Sequence, residues 1–216
     1  MQVIQQCNPL WIASNINVNA DKEFIFSNYV IEPLVTGVIK KEYPEYDEMD
    51  IVHTTEYEKL AGWNIRGFDI IWKTKNGDII TIDVKFSSPY YANTKNISFK
   101  PTFGDKQEPT YIGTIHTFSN TKKPCVVLIP YEVAMENCKK CSGYYLLDVE
   151  DTCKKGNGIL IYELKGRQLD FYNDMLTIYK AAGSVKSGKE LLRRLTPVFE
   201  KYNINKPGMN TYDFGL

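Results

Sequence analysis

The sequence predicts a mixed α/β (α+β) layer protein, and three observations carry that expectation. Apolar residues recur at helical spacing over 21–41, at Phe26, Tyr29, Val30, Leu34 and Val38. Two runs rich in Ile, Phe, Trp and Val over 67–88 flank Lys75-Asn76-Gly77-Asp78, a hairpin signal. Residues 124–130, PCVVLIP, read as a buried strand between prolines. The composition suits a folded chain: of 216 residues, 43% are hydrophobic and 24% charged. Those fractions match globular domains and exclude disorder as the main description.

Taken in order, Asp21 can cap the first helix, and Pro33 inside it predicts a kink or break. Residues 42–50, EYPEYDEMD, form an acidic solvated loop, and 50–57 fit a strand. Strands 67–75 and 79–87 make the hairpin. Residues 88–107 read as a long loop. Over 108–119, Pro109 in a first turn and Tyr111, Ile112, Ile115 and Phe118 on one side predict a second helix, which Gly113 weakens. Strands at 143–149 and 158–164 and helices at 167–181 and 187–202 follow. Ser187 and Glu190 supply a capping box for the last. The chain is expected to be a single domain over 1–216.

Charge balances overall, with 26 basic and 26 acidic residues, which argues against a purely electrostatic nucleic-acid binder. The distribution is uneven. Residues 21–60 carry 4 basic and 10 acidic side chains, whereas 61–125 carry 9 and 5. A neutral total can therefore hold a basic groove around an acidic pocket. No apolar run reaches membrane-spanning length, and residues 1–20 lack the basic n-region and continuous apolar h-region expected of a secretory signal. Five cysteines, an odd number, fit reduced thiols. The expectation is a cytoplasmic, intracellular protein without a membrane partner.

Alternation sorts the hairpin into two faces. Phe68, Ile70, Trp72, Ile80, Ile82, Val84 and Phe86 form an apolar face for the core. Asp69, Ile71, Lys73, Ile79, Thr81, Asp83 and Lys85 lie on the other. Register decides what the charges do. A two-residue loop, Asn76-Gly77, would pair Asp69 with Val84 and turn it into the core. A three-residue loop with Gly77 left-handed puts Asp69 opposite Asp83, with Cβ atoms about 4.5–5.5 Å apart. Lys85 then follows about 6.6 Å along the strand. Two carboxylates that close repel by about 3–4 kcal/mol at an effective dielectric near 20. A divalent cation removes that repulsion, and hard oxygen ligands suit Mg²⁺, with Mn²⁺ as a substitute. A neighbouring ammonium can orient water or stabilise charge on a phosphate.

Asp69, thirteen intervening residues, then Asp83-Val84-Lys85 resembles the PD-(D/E)XK nuclease superfamily, the fold of many restriction endonucleases. Phe68 stands where the motif's name carries proline. The resemblance implies a restriction-endonuclease-like core over 21–130: a helix, a three-stranded meander with hairpin 67–87, a crossover helix and a further strand. Residues 131–216 would be a C-terminal extension. It also implies Asp69 and Asp83 as Mg²⁺ ligands and Lys85 as the residue that positions the attacking water. Such enzymes often add a glutamate from the first helix. Glu23 is the candidate and Glu32 the alternative. Nine helical residues separate them, so at most one points inward.

Other patterns compete. A second match places Asp148 or Asp151 before Glu163-Leu164-Lys165, without a preceding helix of its own. Cys125, Cys138, Cys141 and Cys153 can be read as a four-thiolate zinc site, although Cys125 opens a strand that suits a core thiol. The 183–190 segment, GSVKSGKE, is a near miss to a phosphate-binding loop and reads better as a helix cap. With only His53 and His116, multi-histidine metal sites are excluded. Lys73 and, beyond the motif, Lys95, Lys100 and Lys106, interleaved with Tyr90, Tyr91 and Phe103, are candidate DNA contacts.

The expected function is therefore a Mg²⁺-dependent, restriction-type DNA endonuclease, acting as a homodimer because cutting both strands needs two sites. A structure- or end-specific recombination or repair nuclease is the alternative within the class. A non-catalytic DNA-binding or protein-interaction module is the alternative outside it.

Overall fold

The computed structural model describes residues 22–47, 50–54, 67–86, 95–100, 108–183 and 188–202. The first helix, α1 (residues 22–42), is continuous through Pro33. It runs as α-helix over Lys22–Phe26, widens to a π-helical turn over Ser27–Ile31, and resumes as α-helix over Glu32–Glu42. The Glu32 amide donates to the Ser27 carbonyl five residues back. The widened turn falls just before Pro33, and the chain continues as helix through the proline, so the helix does not end there.

Strands β1 (Ile51–His53), β2 (Ile70–Lys73) and β3 (Ile79–Val84) form an antiparallel meander. Strand β4 (Asn96–Phe99) leaves that sheet, and β5 (Tyr111–Thr117) returns parallel to β3. Strand β6 (Pro124–Pro130) pairs antiparallel with β5. Then come α2 (Tyr131–Asn137), β7 (Lys139–Cys141), β8 (Tyr144–Asp148), α3 (Val149–Lys155), β9 (Leu160–Glu163), α4 (Gly166–Ala181) and α5 (Gly188–Lys201). The main sheet has the order β1-β2-β3-β5-β6-β9, and a second sheet has the order β4-β8-β7. The fold is thus mixed α+β. Among the described residues after 130, β9 extends the main sheet and α4 and α5 join the core of α1.

Alternation builds the layers. Ile82, Val84, Ile115, Val126 and Leu128 face α1, α4 and α5 in the larger core. Ile112, Cys125, Val127 and Ile129 point the other way, onto Ile97, Phe99, Leu147 and Val149 of the second sheet and its helix. Phe68 departs from the expected hairpin face. It packs with Val52 and Ile71, because the chain bends at Asp69 before β2 begins.

The helix expected over 108–119 is replaced by β5. Tyr111, Ile112 and Ile115 fit either period, but Thr114 and Ile115 are β-branched and the run is buried on both faces. Gly113 is needed there: a Cβ would sit 3.0 Å from Ile82, 3.3 Å from Leu128 and 3.4 Å from Val84. The expected loop 88–107 contains β4, and its remaining residues 88–94 and 101–107 lie outside the described ones. So do Asp21 and Ser187, the two expected caps. Among the described residues, no helix is long and apolar enough to cross a membrane.

Glu150 ties the layers together. Its carboxylate accepts from the Ser119 amide and hydroxyl, both at 2.6 Å, and from His116 Nε2 at 3.4 Å. The Ser119 hydroxyl foremost, against the opposing effect of burial, holds its acid down at about 2. A depressed carboxylate stabilises the fold above its ordinary value near 4.5 and loses that contribution as pH falls toward 2. Glu150→Gln is therefore expected to cost about 1–3 kcal/mol at pH 7. Denaturant unfolding should show the gap from wild type closing below pH 4.5. Gly113→Val should cost a further, pH-independent 1–3 kcal/mol or so by overpacking.

Candidate functional site

The hairpin turn sets the site. Gly77 is left-handed at φ +88°, its amide donates to the Thr74 carbonyl at 2.9 Å, and Thr74 N–H reaches the Asp78 carbonyl at 2.8 Å. Ile70 pairs with Ile82 as the last step of the ladder, and Asp69 follows at the bend just before β2, beside the end of β3 that carries Asp83. The Asp69 amide donates to the Ile82 carbonyl at 2.9 Å. This is the three-residue-loop register, with both aspartates at the end of the hairpin away from the turn.

Four charged side chains meet at that end. Asp69 Oδ2 accepts from the Val84 amide at 2.7 Å. Lys85 Nζ donates to Asp83 Oδ1. The Lys85 amide donates to Gly113 of β5 at 2.7 Å, which pins the lysine's main chain to the neighbouring strand. Glu32, from the turn where α1 resumes its α-helical path, is the fourth: the charges acting on Asp69 are Glu32, Asp83 and Lys85. Glu23 is not among them and instead accepts from the Tyr179 hydroxyl at 3.1 Å. The glutamate brought to the aspartates is therefore Glu32. Glu23, the candidate favoured by the sequence, sits where α1 meets α4.

The electrostatics are those of a crowded acidic pocket with one cation. Burial, reinforced by Asp83 and opposed by Ser27 and Lys85, pushes Glu32 up to about 7. Burial first, then the Glu32 and Asp83 charges, holds Asp69 well above the usual carboxylate range. Burial works against the Lys85 ammonium, but Asp83, Asp69 and Glu32 outweigh it and hold the group above its ordinary value. Lys85 and Asp83 keep solvent access, their side chains 27% and 18% exposed, whereas Glu32 is 5% exposed. Asp83 shares its register with Ile112, so it lies on the sheet face that carries the second layer.

Two residues of β1 and its end, which the sequence does not single out, complete the surround. His53 Nε2 lies 2.7 Å from Glu32 Oε2. Thr54 donates its amide to the Asp69 carbonyl at 2.8 Å and its hydroxyl to the Phe68 carbonyl at 2.9 Å. A lone histidine in a short strand has no sequence pattern that marks it.

Other sequence candidates fall elsewhere. Lys73 is exposed four residues from Asp69 at the turn end, about 13 Å away at strand rise. Lys95 and Lys100 are exposed and flank β4 in the second sheet, and Lys106 lies outside the described residues, as do Tyr90, Tyr91 and Phe103. The carboxylates of the second motif match are spent structurally. Asp148 caps α3 by accepting from Asp151 N, Asp151 pairs with Lys155, and Glu163 pairs with Lys123. Cys125, Cys138, Cys141 and Cys153 are free thiols. Cys125, Cys138 and Cys153 belong to or pack on the second core, and Cys138 donates to the Met135 carbonyl. Burial pushes Cys153 up to about 11, which disfavours the thiolate that zinc requires. Cys141 lies on the edge strand β7. Among the described residues, no three His, Cys, Asp or Glu side chains form a ready-made metal-holding group. What the hairpin supplies is a pair of hard oxygen donors, Asp69 and Asp83, with Glu32 behind them.

No protein-family model matches this chain, and no curated protein matches it in sequence.

Asp69→Asn tests the electrostatics directly. A carboxyl whose folded value is raised favours the fold while protonated, and that contribution is lost as pH rises through the raised value. For Glu32 the window runs from about 4.5 to about 7. The amide can still accept from Val84. Asp69→Asn should therefore unfold at higher denaturant concentration than wild type at pH 8, with the advantage fading toward pH 4. A variant less stable than wild type at pH 8 would mean that ionised Asp69 does not burden the fold.

Proposed function

We propose that this chain is a divalent-metal-dependent DNA endonuclease of the PD-(D/E)XK class, restriction-type in action. The observation that carries this reading is the meeting of Glu32, Asp69, Asp83 and Lys85 at one end of the hairpin. The element order supports it: a helix, an antiparallel meander and a strand parallel to the third. The crossover helix implied by the resemblance is not found at 108–119, where β5 stands instead.

The donor set fits Mg²⁺ or Mn²⁺. Asp69 and Asp83 offer carboxylate oxygens; burial chiefly raises the acids at Asp69 and Glu32, with the Glu32 and Asp83 charges adding to it at Asp69, and a bound cation would favour their ionised forms. Such an ion, when bound, would polarise a phosphoryl oxygen and acidify a water. The chain's own residues do the rest. The Val84 amide fixes Asp69. The Gly113 carbonyl fixes the main chain of Lys85, whose partly exposed ammonium can turn from Asp83 toward a phosphate or an attacking water. Cutting both strands of a duplex would engage two copies of the chain, hence a homodimer.

Asp83→Ala assayed on a labelled DNA duplex tests this. With Mg²⁺, the variant should bind DNA as wild type does while cleavage falls at least about 100-fold, as for loss of an essential metal or charge-stabilising group. Wild-type binding without Mg²⁺-dependent cleavage of any DNA would replace the reading with a non-catalytic binding module.

A further inference from the structure

We propose that His53 is a positioning residue of this site, holding the Glu32 carboxylate toward Asp69 at the open end of the hairpin. The inference rests on reading the cluster as a divalent-cation site and adds a residue that neither the motif nor its spacing contains.

The pair is buried: His53 is 1% exposed and Glu32 4%. A carboxylate so far from water needs donors, and an unsatisfied one is costly. Glu32 has two. His53 Nε2 stands 2.7 Å from Oε2, and the Ser27 side chain also bonds the carboxylate. With Glu32 ionised, Nε2 carries the proton and donates. The two donors reach Glu32 from different directions. Ser27 belongs to the widened turn of α1, whose carbonyl also takes the Glu32 amide. His53 reaches it from β1, where the register His53↔Ile70↔Ile82 turns the imidazole toward the α1 face of the sheet.

The next residue extends the grip. Thr54 binds the Asp69 carbonyl with its amide and the Phe68 carbonyl with its hydroxyl. Two consecutive residues thus hold the side chain of one acid and the main chain of another. The His53-Thr54 dipeptide bridges Glu32 to the chain at Asp69. A partner that orients an acid in this way is worth about 10–100-fold in metal affinity or activity when removed.

Mn²⁺ calorimetry on the full chain, with no nucleic acid present, tests the inference. Wild type, His53→Gln, His53→Asn and His53→Leu are compared, with melting curves to establish folding. Glutamine places a donor near the position of Nε2, whereas asparagine falls short of it. His53→Gln should keep wild-type affinity. His53→Asn and His53→Leu should weaken binding about 10–100-fold. In a Glu32→Gln background, His53→Asn should add no further loss. If folded His53→Asn binds Mn²⁺ as tightly as wild type, His53 serves packing alone and the inference fails while the cation reading stands. The glutamine–asparagine comparison survives even if the leucine variant does not fold. A wild-type chain that binds no Mn²⁺ overturns the cation reading and the inference with it.

Discussion

The left-handed Gly77 closes a three-residue turn, and the register of β2 against β3 follows from it. Strand side chains alternate with period two, so a slip of one residue would carry Asp69 into the apolar core. The same slip would break the bond from the Val84 amide to Asp69. Register also decides that Ile82 and Val84 fill the larger core while Asp83 and Lys85 stay on the other side. The parallel strand β5 locks the arrangement through the bond from Lys85 N–H to Gly113. The glycine at 113 lets the side chains of Ile82, Val84 and Leu128 close over it.

That register brings like charges together, and the fold bears the cost. Asp69 and Glu32 are both held above their ordinary values, chiefly by burial. Lys85 offsets part of the field through Asp83 but leaves three acids for one ammonium. Stability would be better served by an amide at one of these positions. Charge retained against stability supports the proposed reading of the cluster as a functional site, and a cation would relieve the repulsion. The contrast with Glu150 is instructive. There, the Ser119 amide and hydroxyl and His116 satisfy the carboxylate, its acid is depressed, and it joins layers.

The hairpin was legible because its signals are local: alternating apolar residues, β-branched content and a turn with glycine at the position needing positive φ. The strand 124–130 and the last two helices were legible on similar grounds. The strand at 111–117 was not, because Tyr111, Ile112 and Ile115 satisfy both periods over so short a run. The choice between Glu23 and Glu32 depended on the helical phase along α1. Phase counting assumes 3.6 residues per turn, whereas Ser27–Ile31 winds more widely. Pro33 signalled an irregularity there but not its form. His53 could not be found from the sequence, since its role depends on β1 lying beside β2 under α1. Among the described residues the short strands β4 and β7 pair with β8 alone, and nothing in residues 96–99 or 139–141 by itself announces a second sheet.

The most direct measurement is anomalous diffraction from crystals of the protein soaked in Mn²⁺. The account predicts a peak between the carboxylates of Asp69 and Asp83, at oxygen–metal distances of about 2.0–2.2 Å, with Lys85 released from Asp83. An aspartate pair left without a peak at saturating Mn²⁺, with Lys85 still bound to Asp83, would contradict it.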